Sequence, residues 1–448
     1  VTILLILALA GLMHAARSFE IGLSGGSTGT TLALGYLLLT AHFVGGLFKR
    51  MHLPKLTGYI ATGIVVGPSV LDFVTQPMVD SLKLVNGVAI SLIAMSAGTE
   101  LEFSSFRPLM RTISWITGVA VLGTTLLLGG TVFASRESLP FMQPLGLAPA
   151  LMVALVLGVV MVAQSPAVVM AIREEMQADG PVSRTVLGVV VIADLVVIFF
   201  FAVTSSVARA VLGGGTSPLV TAGMLGWEIF GSVAAGLFVG AVLGLYMKKI
   251  TGGGSLFLIA MSVVSAEVGQ RLHFDPLLIA LTAGILVRNA TDTGERLYRQ
   301  IESASLPVYI LFFAVAGANL HLDVISSVAG PAVLFVLVRA VGFLSGTRLA
   351  TAIAGAPLEV RKYAAYGLLP QAGLALALSM LFTKTFPEFG ADAGALTLGV
   401  VALNELIAPV IYRWAIVKSD EAGKKTDAAA PTEPTVDPGS GLVYPVVK

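Results

Sequence analysis

The chain has 448 residues, of which 56% are hydrophobic and only 12% charged, with a net charge of +1 and a mean hydropathy of +0.91. No soluble domain of this length could bury so much apolar surface. Repeated apolar runs of about 20 residues, each able to cross a hydrocarbon core of roughly 30 Å, make it an all-α polytopic membrane protein and exclude the short alternating segments of a membrane barrel. The near-zero charge gives no reason to expect nucleic acid or an acidic partner, and the absence of cysteine excludes disulfides, thiol catalysis and cysteine-ligated metals.

In chain order, residues 1–30 contain an apolar stretch from Val1 to Ala16, read as a truncated N-terminal spanning helix in preference to the remains of a signal sequence. Thirteen spans are then predicted, at 31–48, 55–71, 83–101, 109–133, 146–172, 184–209, 217–247, 255–270, 274–289, 304–320, 328–353, 363–383 and 393–417. After them the composition turns to Asp, Glu, Lys, Thr, Ala and Pro, so 418–448 reads as a disordered tail. Basic residues concentrate in alternate loops, at Lys49, Arg50 and Lys55, Arg107 and Arg111, Arg173 and Arg184, Lys248 and Lys249, Arg288, Arg296 and Arg299, and Arg361 and Lys362. The bias of Lys and Arg toward cytoplasmic loops puts this set and the tail inside, and the loop around Ser24 outside.

Two predicted spans carry helix breakers. In 146–172, Gln164 and Ser165 precede Pro166; in 363–383, Pro370 and Gln371 lie between Gly367 and Gly373. Proline removes a helical donor and clashes with the preceding turn, so a kink or unwound backbone is expected at each. Each broken span is the second of three, in trios at about 109–209 and 328–417. That arrangement is expected of inverted three-helix repeats with two crossed broken helices and an ion site near the midplane.

Few polar groups interrupt the apolar spans. Asp194 stands alone in Val189-Val-Val-Ile-Ala-Asp-Leu-Val-Val197, and a carboxylate at bilayer depth, costing roughly 2.5–3.5 kcal/mol on insertion scales, is a candidate for an ion path or proton relay. A structural polar residue bonded to a neighbouring helix is the alternative. Arg339 follows seven apolar residues in the first span of the second trio, where its permanent charge needs a partner or a watery cavity unless it reaches an interface. Glu405, in the last span, is the guessed partner of Arg339 or else a satisfied structural carboxyl. Glu100, Glu228 and Glu267 fall near span ends, where solvated or interfacial roles are expected. The five histidines are scattered without metal-ligand spacing, and no phosphate-binding loop or nucleotide-binding domain is present, so neither a metal nor any other cofactor is implied.

Leu53-Pro-Lys-Leu-Thr-Gly-Tyr-Ile-Ala-Thr-Gly-Ile-Val-Val-Gly-Pro-Ser69 resembles the early-helix signature of monovalent cation:proton antiporters. Gly98-Thr-Glu-Leu101, Pro276 with Ala283-Gly284, and Asn404-Glu-Leu-Ile-Ala-Pro409 are similar to later family segments, in the expected order across about 31–417. The likeness is nearest to the bacterial branch of sodium/proton antiporters and glutathione-gated potassium exporters. It implies a core domain of crossed broken helices moving against a dimerisation domain, a homodimer, and a place in the bacterial inner membrane. It implies that Asp194 is the ion-binding aspartate, that Gln164, Ser165 and Gln371 lie at the breaks beside it, and that Arg339 is the family's basic core residue. The family usually has Asp, Asn or Gln immediately before its ion-binding aspartate, where this chain has Ala193.

With a single titrating carboxylate, the expectation is electroneutral exchange of one proton for one sodium or potassium ion by alternating access. Gln164, Ser165 and backbone carbonyls at the breaks would help hold the cation. Two other readings stand beside it. One is a gated potassium efflux channel or exporter needing a separate regulatory subunit, and the other is a non-transporting sensor on the same scaffold.

Overall fold

A computed structural model describes residues 2–19, 29–51, 53–212, 218–250, 254–272, 274–320 and 322–424. Helices dominate and no strand occurs among these residues, as expected where backbone groups in hydrocarbon must bond within their own segment. The chain opens with α1 (Thr2–Phe19), α2 (Gly29–Arg50), α3 (Lys55–Val66), the short α4 (Gln76–Ser81), α5 (Lys83–Glu100) and the short α6 (Phe103–Phe106). The first trio follows. Its α7 (Met110–Trp115) runs through a π-helical segment, Ile116–Val121, into α8 (Leu122–Ala134), and then come α9 (Leu147–Val162), α10 (Pro166–Glu175) and α11 (Pro181–Val211). Next are α12 (Pro218–Lys249), α13 (Gly254–Leu272), α14 (Pro276–Ala290) and α15 (Gly294–Ala318). The second trio is α16 (Leu322–Ala354), α17 (Leu358–Gly367), α18 (Gly373–Thr385) and α19 (Gly390–Lys418).

All the predicted spans fall on helices, though several ends differ. The span expected to reach residue 71 stops at Val66, because Gly67 is extended ahead of Pro68, a residue that disfavours helix in its predecessor. Conversely, α15 begins at Gly294 rather than near 304, since its polar first turns carry Arg299 within 3.4 Å of Glu295 and are helical without being apolar. Seven helical stretches among the described residues are apolar and long enough to cross a membrane: Thr30–Arg50, Arg107–Ala134, Leu147–Glu175, Pro181–Arg209, Gly226–Lys249, Val328–Ala354 and Asp392–Lys418. The other predicted spans are apolar helices of 10–17 residues, so length and composition alone identify seven crossings among the described residues and leave thirteen unconfirmed.

Two groups of helices emerge from the packing. α2, α3, α5 and α12–α15 pack mainly on one another, while the two trios pack together as a second group. In the first group α5 and α14 approach very closely at a glycine pair: a Cβ on Gly98 would lie 3.1 Å from the Gly284 Cα, and one on Gly284 would lie 3.0 Å from the Gly98 Cα. Small residues permit such helix contacts where no hydrophobic driving force separates helix from lipid. The groups meet where α10 packs on α5, α19 on α3, and α11 on α12.

One end of the trios is tied by the residues after α19. The tail is expected to be disordered from residue 418, yet the chain just after α19 bonds back to the start of α11 and Glu421 is buried. Its carboxylate accepts hydrogen bonds from the backbone N–H of Val182 (2.6 Å) and Ser183 (2.8 Å), two of the free donors that begin α11. Asp179 N–H donates to the Glu421 carbonyl (3.2 Å), and Gly423 N–H to that of Met176 (2.9 Å). Composition registers only the lack of apolar residues here; it cannot register a carboxylate that finds a helix N-terminus. Beneath this clamp, the Asp179 carboxylate accepts from Arg173 (3.0 Å) and Arg184 (2.5 Å and 2.8 Å). Burial alone would raise the Asp179 pKa, but the bonds and charges of the two arginines outweigh it and hold the carboxyl below its ordinary value. Residues 425–448, with the rest of the expected tail, and the loop around Ser24 lie outside the described residues.

Replacing the Glu421 clamp should be measurable as stability. Glu421→Ala leaves two α11 donors uncapped and should cost about 1–2 kcal/mol, read as a lower melting temperature in detergent. Glu421→Gln, which keeps one acceptor oxygen, should lose less.

Candidate functional site

Both predicted breaks are present, and they meet. α9 ends at Val162 and α10 starts at Pro166, whose missing N–H costs nothing in the first turn of a helix. Between them, Ala163, Gln164 and Ser165 are non-helical, and the Ser165 hydroxyl caps α10 by accepting from Val168 N–H at 3.2 Å. In the second trio, α17 ends at Gly367, Leu368–Ala372 are non-helical through Pro370 and Gln371, and α18 begins at Gly373.

Arg339, fully buried on α16, lies where the two breaks converge. Its Nε donates to the Met161 carbonyl (3.0 Å) and its Nη atoms to the carbonyls of Ala163 (3.0 Å), Leu368 (3.2 Å) and Leu369 (2.5 Å). These acceptors are carbonyls at the ends of α9 and α17 that have no helical partner, the negative poles of two half-helices. The planar fork of donors on one guanidinium thus satisfies four acceptors at once, which an ammonium could not do. The Phe343 ring, its centroid 4.8 Å from the guanidinium carbon, flanks the charge. Gln371 adds a second tie: its amide donates to the Met161 carbonyl (2.7 Å), and its oxygen accepts from Asn404 of α19 (2.8 Å).

The expected pairing of Arg339 with Glu405 does not occur. Glu405 is also fully buried, yet neither of its carboxylate oxygens has a hydrogen-bond partner. Helix-end carbonyls take the place of a carboxylate around Arg339, and a residue-by-residue reading of the sequence looks only for side-chain partners. At the surface, Glu267 pairs with Arg271 at 2.8 Å, in line with a solvated role.

Asp194 lies near the middle of α11, which packs on α9, α10, α17 and α18 and so passes both breaks. It is 4% exposed, and both of its carboxylate oxygens are buried without a hydrogen-bond partner. The amide oxygen and nitrogen of Gln164 are likewise buried and unpartnered. Such groups are exceptions in proteins and each costs on the order of 1–3 kcal/mol, more for a charge. Along these faces, then, are a carboxylate and an amide whose bonding capacity the protein itself does not use. That donor set, all oxygen apart from one amide nitrogen, fits a proton or a hard monovalent cation. No cluster of three or more metal-ligating side chains exists among the described residues.

Sequence reasoning passed over Asp275. It caps α14 by accepting from Leu278 N–H at 2.8 Å, while its own N–H donates to the buried Ser232 hydroxyl of α12, also at 2.8 Å. It lies close enough to Asp194 for the two charges to act on each other. Its Asp-Pro dipeptide was readable as a helix start; its electrostatic influence on Asp194 was not.

A family model described as "Sodium/hydrogen exchanger, transmembrane" matches residues 38–418. The chain is 23% identical over 278 residues to an iron transporter, MagA, of Paramagnetospirillum magneticum, a match covering 62% of this chain and 61% of that protein. It is 23% identical over 418 residues to the Na(+)/H(+)-K(+) antiporter GerN of Bacillus cereus, covering 87% of this chain and 97% of that one. Among solved structures, the sodium proton antiporter MjNhaP1 of Methanocaldococcus jannaschii at pH 8 has a similar fold, with a TM-score of 0.66 at 16% identity over 89% of this chain and 99% of that chain.

The carbonyl cage makes a prediction that an Arg339–Glu405 ion pair would not. Arg339→Gln should destabilise the protein by roughly 3–5 kcal/mol, Glu405→Gln should change it little, and the double variant should show no coupling. Melting of the four proteins in detergent checks it; a coupling of several kcal/mol would restore the ion pair.

Proposed function

The chain belongs to the sodium/hydrogen exchanger family, and on that basis we propose that it is a secondary active antiporter exchanging one proton for one sodium or potassium ion across the membrane. The observation that carries the reading is Asp194, a buried carboxylate with no bonding partner on a helix that passes both breaks. A lone carboxylate at this depth is costly when ionised and bare, and is relieved equally by a proton or a monovalent cation. It cannot hold both, so the ions compete for one site, and in each the loaded site is neutral.

Gln164 and Ser165 supply further oxygens at the break for the cation, since the Gln164 carbonyl is otherwise unused. Ser165, a cap for α10, can accept from Val168 while its hydroxyl oxygen keeps a second lone pair. Asp275, at the start of α14 in the other group of helices, acts electrostatically on Asp194 and so adds to the attraction for a cation. Ala193 leaves Asp194 without an adjacent acid, and the charge of Arg339 is met by carbonyls, so neither adds a proton to the cycle. On this reading thirteen helices cross the bilayer, the trios form the moving unit, and the protein works as a homodimer with its C-terminal tail in the cytoplasm of a bacterial cell. The likeness to GerN, a Na(+)/H(+)-K(+) antiporter, supports either cation as substrate.

Purified protein in proteoliposomes, with lumenal pH followed after sodium or potassium is added, tests the proposal. Asp194→Asn should abolish cation-dependent proton movement. Asp275→Asn keeps the helix cap, because Asn caps as well as Asp, and should raise the apparent KM for the cation severalfold with the maximal rate retained. Exchange that survives Asp194→Asn would refute the assignment.

A further inference from the structure

Some basic residues on the loops assigned to one side are held by partners: Arg173 and Arg184 bind Asp179, Arg288 binds Glu102 and Glu295, and Arg296 donates to the carbonyls of Met247 and Ile250. Three cations near the α16–α17 turn are not, and unlike the other exposed lysines and arginines they share one cleft. The side chains of Arg348, Arg361 and Lys362 are exposed and make neither an ion pair nor a hydrogen bond. They converge, with Leu358, Tyr363 and Tyr366, on an open cleft of about 440 Å³.

The rest of the cleft has the chemistry of a bilayer rim. Tyr363 and Tyr366 stack edge-on against Trp414 of α19, at 6.2 Å and 5.3 Å between ring centroids. Trp414 itself is 46% exposed and Leu358 is 54% exposed. Tyr and Trp sit at headgroup depth because one end of each ring is apolar and the other wet. The cleft therefore offers, within one concavity, three unpaired cations, two phenol hydroxyls and an exposed apolar wall. A free phosphate would use the cations alone; an anionic phospholipid would use all three features.

We propose that this cleft binds the phosphate headgroup of an anionic phospholipid, with Arg348, Arg361 and Lys362 holding the phosphate and its acyl chains lying along Leu358 and Trp414. The lipid would grip α17, the half-helix that leads into the second break, and so anchor the second trio in one leaflet. This site is distinct from Asp194 and does not depend on the exchange reading.

The bland alternative is general attraction of rim cations to an anionic leaflet, and a charge-matched control separates the two. Lys248 and Lys249, exposed at the end of α12 and assigned to the same leaflet, line no part of this cleft. Native mass spectrometry of protein released from phosphatidylglycerol-containing nanodiscs would measure retained lipid for the wild type, for Arg361→Ala/Lys362→Ala, and for Lys248→Ala/Lys249→Ala. Each charge-assisted hydrogen bond to the phosphate is worth about tenfold in affinity. The cleft variant, which loses two such bonds, should therefore retain phosphatidylglycerol about a hundredfold more weakly, and the control, whose lysines touch no bound phosphate, should change less than twofold. Arg348→Ala and Tyr366→Phe should each give an intermediate loss while melting with the wild type. Equal losses from both double variants, or none from the cleft variant, would overturn the proposal. So would stabilisation by inorganic phosphate in lipid-free detergent that requires Arg361 and Lys362 and that phosphatidylglycerol does not reproduce.

Discussion

A buried guanidinium with no carboxylate to answer it should be intolerable, and the structure answers Arg339 with backbone. Two helices are interrupted in mid-span, and each interruption leaves carbonyls without donors in a region where water is scarce. Arg339 brings a permanent positive charge and a planar set of donors to that place. The two problems cancel: the charge neutralises the negative poles of α9 and α17, and those poles take the position of a counter-ion. Gln371 and Asn404 extend the same tie from α9 to α19. Removing one member would leave the others exposed to the full cost of unmet bonds.

α11 runs past both interruptions without bonding its single carboxylate to either. Its beginning is fixed by Glu421 and its flank by the Asp179–Arg184 pair, so Asp194 is presented by a helix anchored at one end. On the proposed reading this division of labour separates structure from transport. The permanent charge is consumed by scaffolding, and the acid that can change its charge is kept without a partner.

How much of this was legible beforehand follows the physics of each feature. The broken spans were readable because Pro166 and Pro370 are local signals, and proline acts on its own turn. Asp194 was readable because an acid amid valines has a cost that needs no structure to see. The partner of Arg339 was not, since a backbone carbonyl carries no residue identity, and Glu405 was the nearest side chain that could be guessed. Asp275 sits inside a motif noticed for its proline and glycine, and its influence on Asp194 reaches between residues far apart in sequence. Glu421 lies in a segment whose composition has no power to form a core, yet one carboxylate suffices to hold it on a helix end. The lengths of helices such as α15 were misjudged for a related reason: hydropathy measures the apolar part of a helix, and polar turns continue it.

The central claim is that one carboxylate carries both ions, so that a loaded site is neutral in either half of the cycle. Moving one net charge per cycle is worth about 2.3 kcal/mol per 100 mV, which makes the claim open to a direct electrical test. Proteoliposomes holding the wild-type protein would carry equal potassium on both sides, and sodium-driven proton movement would be recorded with valinomycin, which clamps the potential at zero, and without it. Rates and end-points that valinomycin does not change are predicted. Proton movement that is limited by a self-generated potential and released by valinomycin would show net charge moved per cycle, and would contradict the single-carboxylate account.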